Sequence, residues 1–262
     1  RGFALGVSAI GTNVGGIILP IFVSAWLLHV GWRGTLNNLL ILAVAVVLPL
    51  TLLILSRSPA AATRELDKDD VDQRVWTTKE ILTTSLFWIP FCGLAPLSMA
   101  FGTLQFNLGI IVQDIGLDGD VTAGLIALTS VSMVLGKLFF GVMGDRVDHR
   151  KLYWVANAAT IVAVLLIMNA QSLEVLVIAT FATGISGGGI LPLMGLMYSY
   201  RFGVASFGRV MGFGMLTIMA GAISPIGAGW VYDLYGSYSY AFIALIIIML
   251  PSGIAMAWLR ER

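Results

Sequence analysis

Eight stretches of this chain are each long and apolar enough to cross a lipid bilayer: approximately 3–28, 34–55, 86–112, 122–143, 151–169, 174–198, 210–232 and 240–259. A spanning helix needs about 20 predominantly apolar residues. Lipid offers no hydrogen bonds, so each stretch must satisfy its backbone internally, which makes all eight helices. A membrane barrel would instead show alternating strands of about 10 residues, and none are visible. The expected fold class is an all-α polytopic helix bundle whose surrounding solvent is the lipid bilayer. Composition agrees: 58% of the 262 residues are apolar and 11% charged, too few charges to hydrate a soluble body of this size.

Several function classes drop out at once. The net charge of +1 gives no basic field for nucleic acid. The single cysteine, Cys92, excludes an internal disulfide framework and a thiolate metal cluster. A membrane-embedded enzyme would need a nucleophile–base set or metal ligands at membrane depth. His29 and His149 both fall at segment ends without partners, and no H-E-x-x-H motif or intramembrane aspartate pair occurs. No catalytic residue, metal or cofactor is expected. The chain opens at Arg1 already inside an apolar stretch, and we read it as lacking sequence upstream.

Basic residues set the expected orientation. Arg57, Arg64, Lys68, Arg74 and Lys79, then Arg146, Arg150 and Lys151, then Arg201 and Arg209, then Arg260 and Arg262 fall in alternate loops, whereas the opposite loops hold Arg33 alone. Both ends are therefore expected on the cytoplasmic side. The interval Ser56–Thr84 is the one long polar stretch and reads as a solvated cytoplasmic linker. Within it, Thr77-Thr78-Lys79-Glu80 has capping-box spacing and predicts a short helix leading into the third span.

An internal repeat suggests the architecture. Gly16, Pro20 and Gly31 recur 205 residues later as Gly221, Pro225 and Gly236, and both copies run outward from the cytoplasm. Two parallel repeats of about 200 residues suit a transporter built from two six-helix halves. Residues 1–55 are then the last two helices of an N-terminal half, 56–84 the central loop, and 85–262 a complete C-terminal half.

After the fourth span comes Gly141-Val142-Met143-Gly144-Asp145-Arg146-Val147-Asp148-His149-Arg150-Lys151. Small residues allow close helix approach, and the charges can bridge a tight turn. As a plain sequence it is also an ordinary basic loop. It resembles the G-x-L-A-D-R-x-G-R-K motif of the major facilitator superfamily, in the copy between the eighth and ninth helices. Asp148 stands where that motif has its second glycine. The first span, with Gly6, Gly11, Gly15, Gly16 and Pro20, resembles the glycine-rich fifth helix of the superfamily. Gly184–Pro192, Phe207–Gly212 and Trp230–Tyr238 resemble its oxalate/formate antiporter and monocarboxylate-porter branches. The eight spans then correspond to helices 5–12 of twelve. The resemblance implies that Gly141, Gly144, Asp145, Arg146 and Arg150 latch and release the cytoplasmic side during alternating access. For the glycines, including Gly11, Gly15, Gly16 and Gly221 with Pro20 and Pro225, close helix packing is the expected role.

One full charge lies deep within a span. Lys137 shares a helical face with Ser130 and Met133. Its cytoplasmic helix end is about 9 Å away, within partial reach of a snorkelling lysine. On spacing alone, anion contact and snorkelling stand level. In the monocarboxylate-type branches an arginine follows a glycine at this place, and Gly136-Lys137 matches with lysine substituted. That resemblance favours substrate contact, through a point charge without arginine's fork. In the third span Ser98, Gly102, Gln105 and Gly109 align with Asn107 nearby, and in the seventh Gly214, Thr217, Gly221 and Ser224 align. The resemblance places these spans around a central cavity, so Gln105, Asn107, Thr217 and Ser224 join Lys137, Ser130 and Met133 as candidate substrate contacts. For Gln105 an interhelical hydrogen bond competes with cavity lining. The eighth span is apolar on all faces and is expected to face lipid.

No Asp or Glu falls in the middle of any span, so no proton relay is expected here. The expected function is secondary or facilitative transport of a small organic anion, a mono- or dicarboxylate, by a monomer in a bacterial inner or plasma membrane. Efflux of apolar or cationic compounds, with Lys137 structural, is the alternative, followed by a transporter-derived sensor.

Overall fold

The computed structural model describes residues 29–57 and 74–259, with scattered positions between 19 and 27. These fall into two compact units, one before and one after the boundary between Gln73 and Arg74. Gly11, Gly15, Gly16 and Pro20, with the first predicted span and most of the linker, lie outside the described residues.

In the first unit, helix α1 covers His29–Leu53 and is apolar from Leu39 onward apart from Thr51. It widens to a π-helical turn at Ala43–Val47. Near its start Gly31 holds φ +67°, in the interval the sequence placed between the first and second spans.

The second unit is a bundle. Helix α2, Thr78–Thr83, opens on the predicted capping box: Thr77 accepts from the Glu80 amide and Glu80 reaches back to the Thr77 amide. Helices α3 (Ser85–Asp114), α4 (Gly119–Gly144) and α5 (His149–Met168) match the third to fifth predicted spans within about three residues. Helix α6, Leu173–Gly214, runs 42 residues, about 63 Å of helix against a hydrocarbon core of about 30 Å. It is two helices joined at Gly203, whose φ of 72° and ψ of 172° are not helical. The sequence placed a loop between spans ending at 198 and beginning at 210. One left-handed glycine does that work, and helical backbone continues on both sides. Helices α7, Leu216–Tyr235, and α8, Ser239–Ala257, complete the unit.

Gly236 ends α7 with φ +65°, and its amide donates to the Tyr232 carbonyl at 2.7 Å. Gly31, its counterpart in the sequence repeat, has the same left-handed backbone. On α8, Phe242, Leu245, Met249, Ser252 and Met256 form a buried seam at three- and four-residue spacing. Ile247, Leu250, Ile254 and Trp258 point outward. The eighth span therefore packs along one stripe and is lipid-facing only on the rest.

Two helix crossings organise the unit, both made of backbone. On α3, Gly102 lies against Gly221 of α7, and a Cβ on Gly221 would sit 2.6 Å from the Ser98 carbonyl oxygen. On α4, Gly136 lies against the Ile185 carbonyl of α6, and Gly188 of α6 lies against the Met133 carbonyl. Gly184 completes that seam, where a Cβ would meet the Thr129 carbonyl at 2.7 Å. In lipid no hydrophobic force pulls helices together, so close approach through small residues supplies the contact.

Candidate functional site

Lys137 is buried, with 2% of its surface exposed. It follows Gly136, whose backbone packs against the Ile185 carbonyl at the α4–α6 crossing. Snorkelling needs the ammonium at the aqueous edge, and this side chain is instead wrapped by protein. Ser130 and Met133 lie on the same helix and are half-buried. The Ser130 hydroxyl donates to the Ile126 carbonyl at 3.1 Å, and the Met133 backbone meets Gly188.

The other candidate residues are dispersed. Ser224 of α7 donates to the Met99 carbonyl at 2.8 Å and accepts from Thr103 at 3.1 Å. It also borders an apolar crevice of about 490 Å³ between α3, α7 and α8, together with Met99, Ile223, Ala244 and Leu245. Thr217 is fully buried. Of the predicted stripe, Gly221 and Ser224 pack against α3, and Gly214 ends α6. Asn107 bridges helices: its Oδ1 accepts from the Tyr238 hydroxyl at 2.9 Å and its amide donates to the Thr103 carbonyl at 2.9 Å. Gln105 faces a small crevice between α3, α4, α5 and α6.

The loop after α4 is a tight turn. Asp145 caps α4, and Asp145 and Arg146 are exposed. Gly141 and Gly144 are buried, and Gly144 abuts Leu196 of α6. Asp148, which replaces a motif glycine, is the N-cap of α5 and accepts from the Arg150 amide at 2.8 Å. Arg150 closes on the same carboxylate through Nε at 2.9 Å and Nη2 at 2.8 Å. A caps-and-clamps pair thus takes over from glycine's flexibility, at an ordinary φ of −50°. His149 Nε2 lies 3.1 Å from the Gly144 carbonyl, which selects the tautomer protonated at Nε2.

Three features escaped the sequence reading. Arg201, counted there as a loop charge, is 5% exposed, because α6 continues past the predicted end at 198; its Nη1 donates to the Met197 carbonyl at 2.9 Å. Trp76, assigned to a solvated linker, is buried. Its amide donates to Ser206 Oγ at 2.8 Å, its carbonyl accepts from Arg209 at 2.7 Å, and its ring meets Phe202 edge-on at 5.1 Å. The end of the linker is therefore docked beside the Gly203 fold-back. A lone tryptophan among charged residues was the available signal. At the opposite end, Tyr232 donates to Asp114 at 2.7 Å, and the Tyr232 and Tyr238 rings stack at 4.6 Å. Burial and, after it, Tyr232, Asp114 and Asp233 push the Tyr238 phenol up to about 12, so it stays a donor to Asn107.

The profile described as Major Facilitator Superfamily matches residues 1–131 and 91–262. The chain belongs to the major facilitator superfamily. It is an integral, multi-pass membrane protein of that family. Among curated proteins it is similar to Agnestins efflux protein AgnL12 of Paecilomyces divaricatus, 24% identical over 257 residues, covering 96% of this chain and 56% of that protein. It is similar also to Monocarboxylate transporter 12 of Rattus norvegicus, 25% identical over 293 residues, covering 99% and 60%. A third relative is the uncharacterized MFS-type transporter YcxA of Bacillus subtilis (strain 168), 22% identical over 256 residues, covering 95% and 61%. The chain spans 56–61% of the length of these relatives.

Proposed function

We propose that the whole protein is a secondary or facilitative transporter working by alternating access, that its substrate is a small organic anion, and that Lys137 contacts it. Residues 85–262 then form the complete C-terminal half, and residues 1–55 the last helices of the other. The observation that carries this reading is the burial of Lys137 in a span with no acidic residue at mid-depth. Ionisable residues at membrane depth are rare and mark substrate or ion paths. The monocarboxylate transporter among the relatives supports the same substrate class.

The test is uptake by the full-length transporter reconstituted in liposomes. Charge-assisted hydrogen bonds contribute about 1.5–3 kcal/mol, so Lys137→Met should weaken apparent anion affinity at least tenfold while sparing insertion. Lys137→Arg should retain appreciable uptake. Carboxylate uptake by the methionine variant equal to wild type removes the anion site. It would move forward a second reading, efflux of apolar or cationic compounds, which the efflux relative and the apolar 490 Å³ crevice favour.

We further propose that the turn at Asp145 works in switching states. Asp145 and Arg146 are exposed, while Gly144 and His149 tie the turn to α6 and to α4. Asp145→Asn should leave a normally inserted protein whose transport is slow at unchanged apparent affinity. Wild-type rates at equal abundance would dismiss this role.

A further inference from the structure

Gln105 looks into a crevice where four helices meet: Leu104 and Gln105 of α3, Thr129 of α4, Ile167 of α5, and Thr180 and Thr183 of α6 line it. Thr180 is seven residues past the start of α6, about 10 Å in from that helix end. The crevice has about 10 Å³ open to the centre of a water molecule, which is the room one water requires.

The wall is polar in a particular way. Thr129 and Thr183 are buried, and each spends its hydroxyl hydrogen inside its own helix, on Leu125 O at 2.9 Å and Ala179 O at 2.8 Å. Toward the crevice they retain oxygen lone pairs. Thr180 is 3% exposed, and its hydroxyl has no hydrogen-bond partner within the protein. Gln105 adds an amide that both donates and accepts. Buried polar groups without partners are rare, and a buried water is the usual way to satisfy them.

We propose that this crevice holds one ordered water. The water donates to Thr129 and Thr183, accepts from Thr180, and takes Gln105 as fourth partner. A sodium ion would meet the same oxygens, but no carboxylate lines the crevice, and an uncompensated charge at this depth carries a large desolvation cost. A neutral molecule with two hydrogens fits the donor and acceptor count. Its bonds would cross between α3, α4 and α6, whereas the Thr129 and Thr183 hydroxyl bonds stay within single helices.

The experiment uses the full-length protein in nanodiscs, with two readouts on wild type, Thr180→Val and a control, Thr160→Val, which makes the same isosteric change at a buried threonine of α5. X-ray hydroxyl-radical footprinting activates bound water in place, so Leu104 or Ile167 should be labelled in wild type and Thr160→Val, and protected in Thr180→Val. The melting midpoint of Thr180→Val should fall below the control by about 2–4 °C, equally in sodium and potassium chloride. Absence of labelling in wild type, or a Thr180→Val midpoint at or above the control, means a dry crevice and overturns the proposal. A midpoint raised by sodium in wild type alone assigns the crevice to the ion and overturns it as well.

Discussion

A methyl group added to Gly136 would drive into the Ile185 carbonyl, whereas one added to Gly124, on the same helix, meets nothing within 4 Å. The two positions make a matched test of the backbone-on-backbone crossing. Backbone cannot rotate aside as a side chain does, so overpacking here should cost about 1–3 kcal/mol or more. Gly136→Ala is expected to lower the melting midpoint and yield of folded protein sharply. Gly124→Ala should be neutral or stabilising by up to about 1 kcal/mol, since alanine restricts the unfolded chain. Equal midpoints for the two variants would show that the α4–α6 seam is not tight.

Among elements, α2 offers a titratable cap. The Thr77 backbone amide, then Arg74 and the Thr77 hydroxyl, hold the Glu80 carboxyl down at about 2. A depressed carboxylate stabilises above its unfolded value, near 4.3, and that contribution is lost as pH falls toward 2. Protection of the Thr77 amide from hydrogen exchange, relative to its intrinsic rate at each pH, should thus fall between pH of about 4.5 and 2 in wild type, and Glu80→Gln should show no such window. A wild-type profile flat across that range would dismiss the cap as a pH-dependent element. This cap was legible because its partners are three residues apart in sequence. The spans were legible too, since membrane thickness imposes their length. What lay hidden depends on distant neighbours. The docking of Trp76 needs Phe202, Ser206 and Arg209, and Gly221 and Ser224 read as part of a polar stripe until α3 covers them. The α6 fold-back hinges on one of the chain's 30 glycines, and no local pattern marks Gly203 among them.

For the molecule as a whole, loop charge predicts that α2 lies inside and the α3–α4 turn outside. Lys79 and Asp118 are both exposed. In a Cys92→Ser background, Asp118→Cys should react with an impermeant maleimide added to intact cells, and Lys79→Cys only after permeabilisation. The reverse pattern would invert the topology. The fold-back at Gly203 also bears on how the chain is made. Helix persists to Phe202 and resumes at once, so little flexible chain separates one arm from the next. A ribosome that has just released the first arm has no slack with which to hold the second apart from it. The pair is then expected to leave the translocon as a preassembled hairpin, and a nascent chain stalled shortly after Gly203 should be an early substrate for membrane quality-control proteolysis.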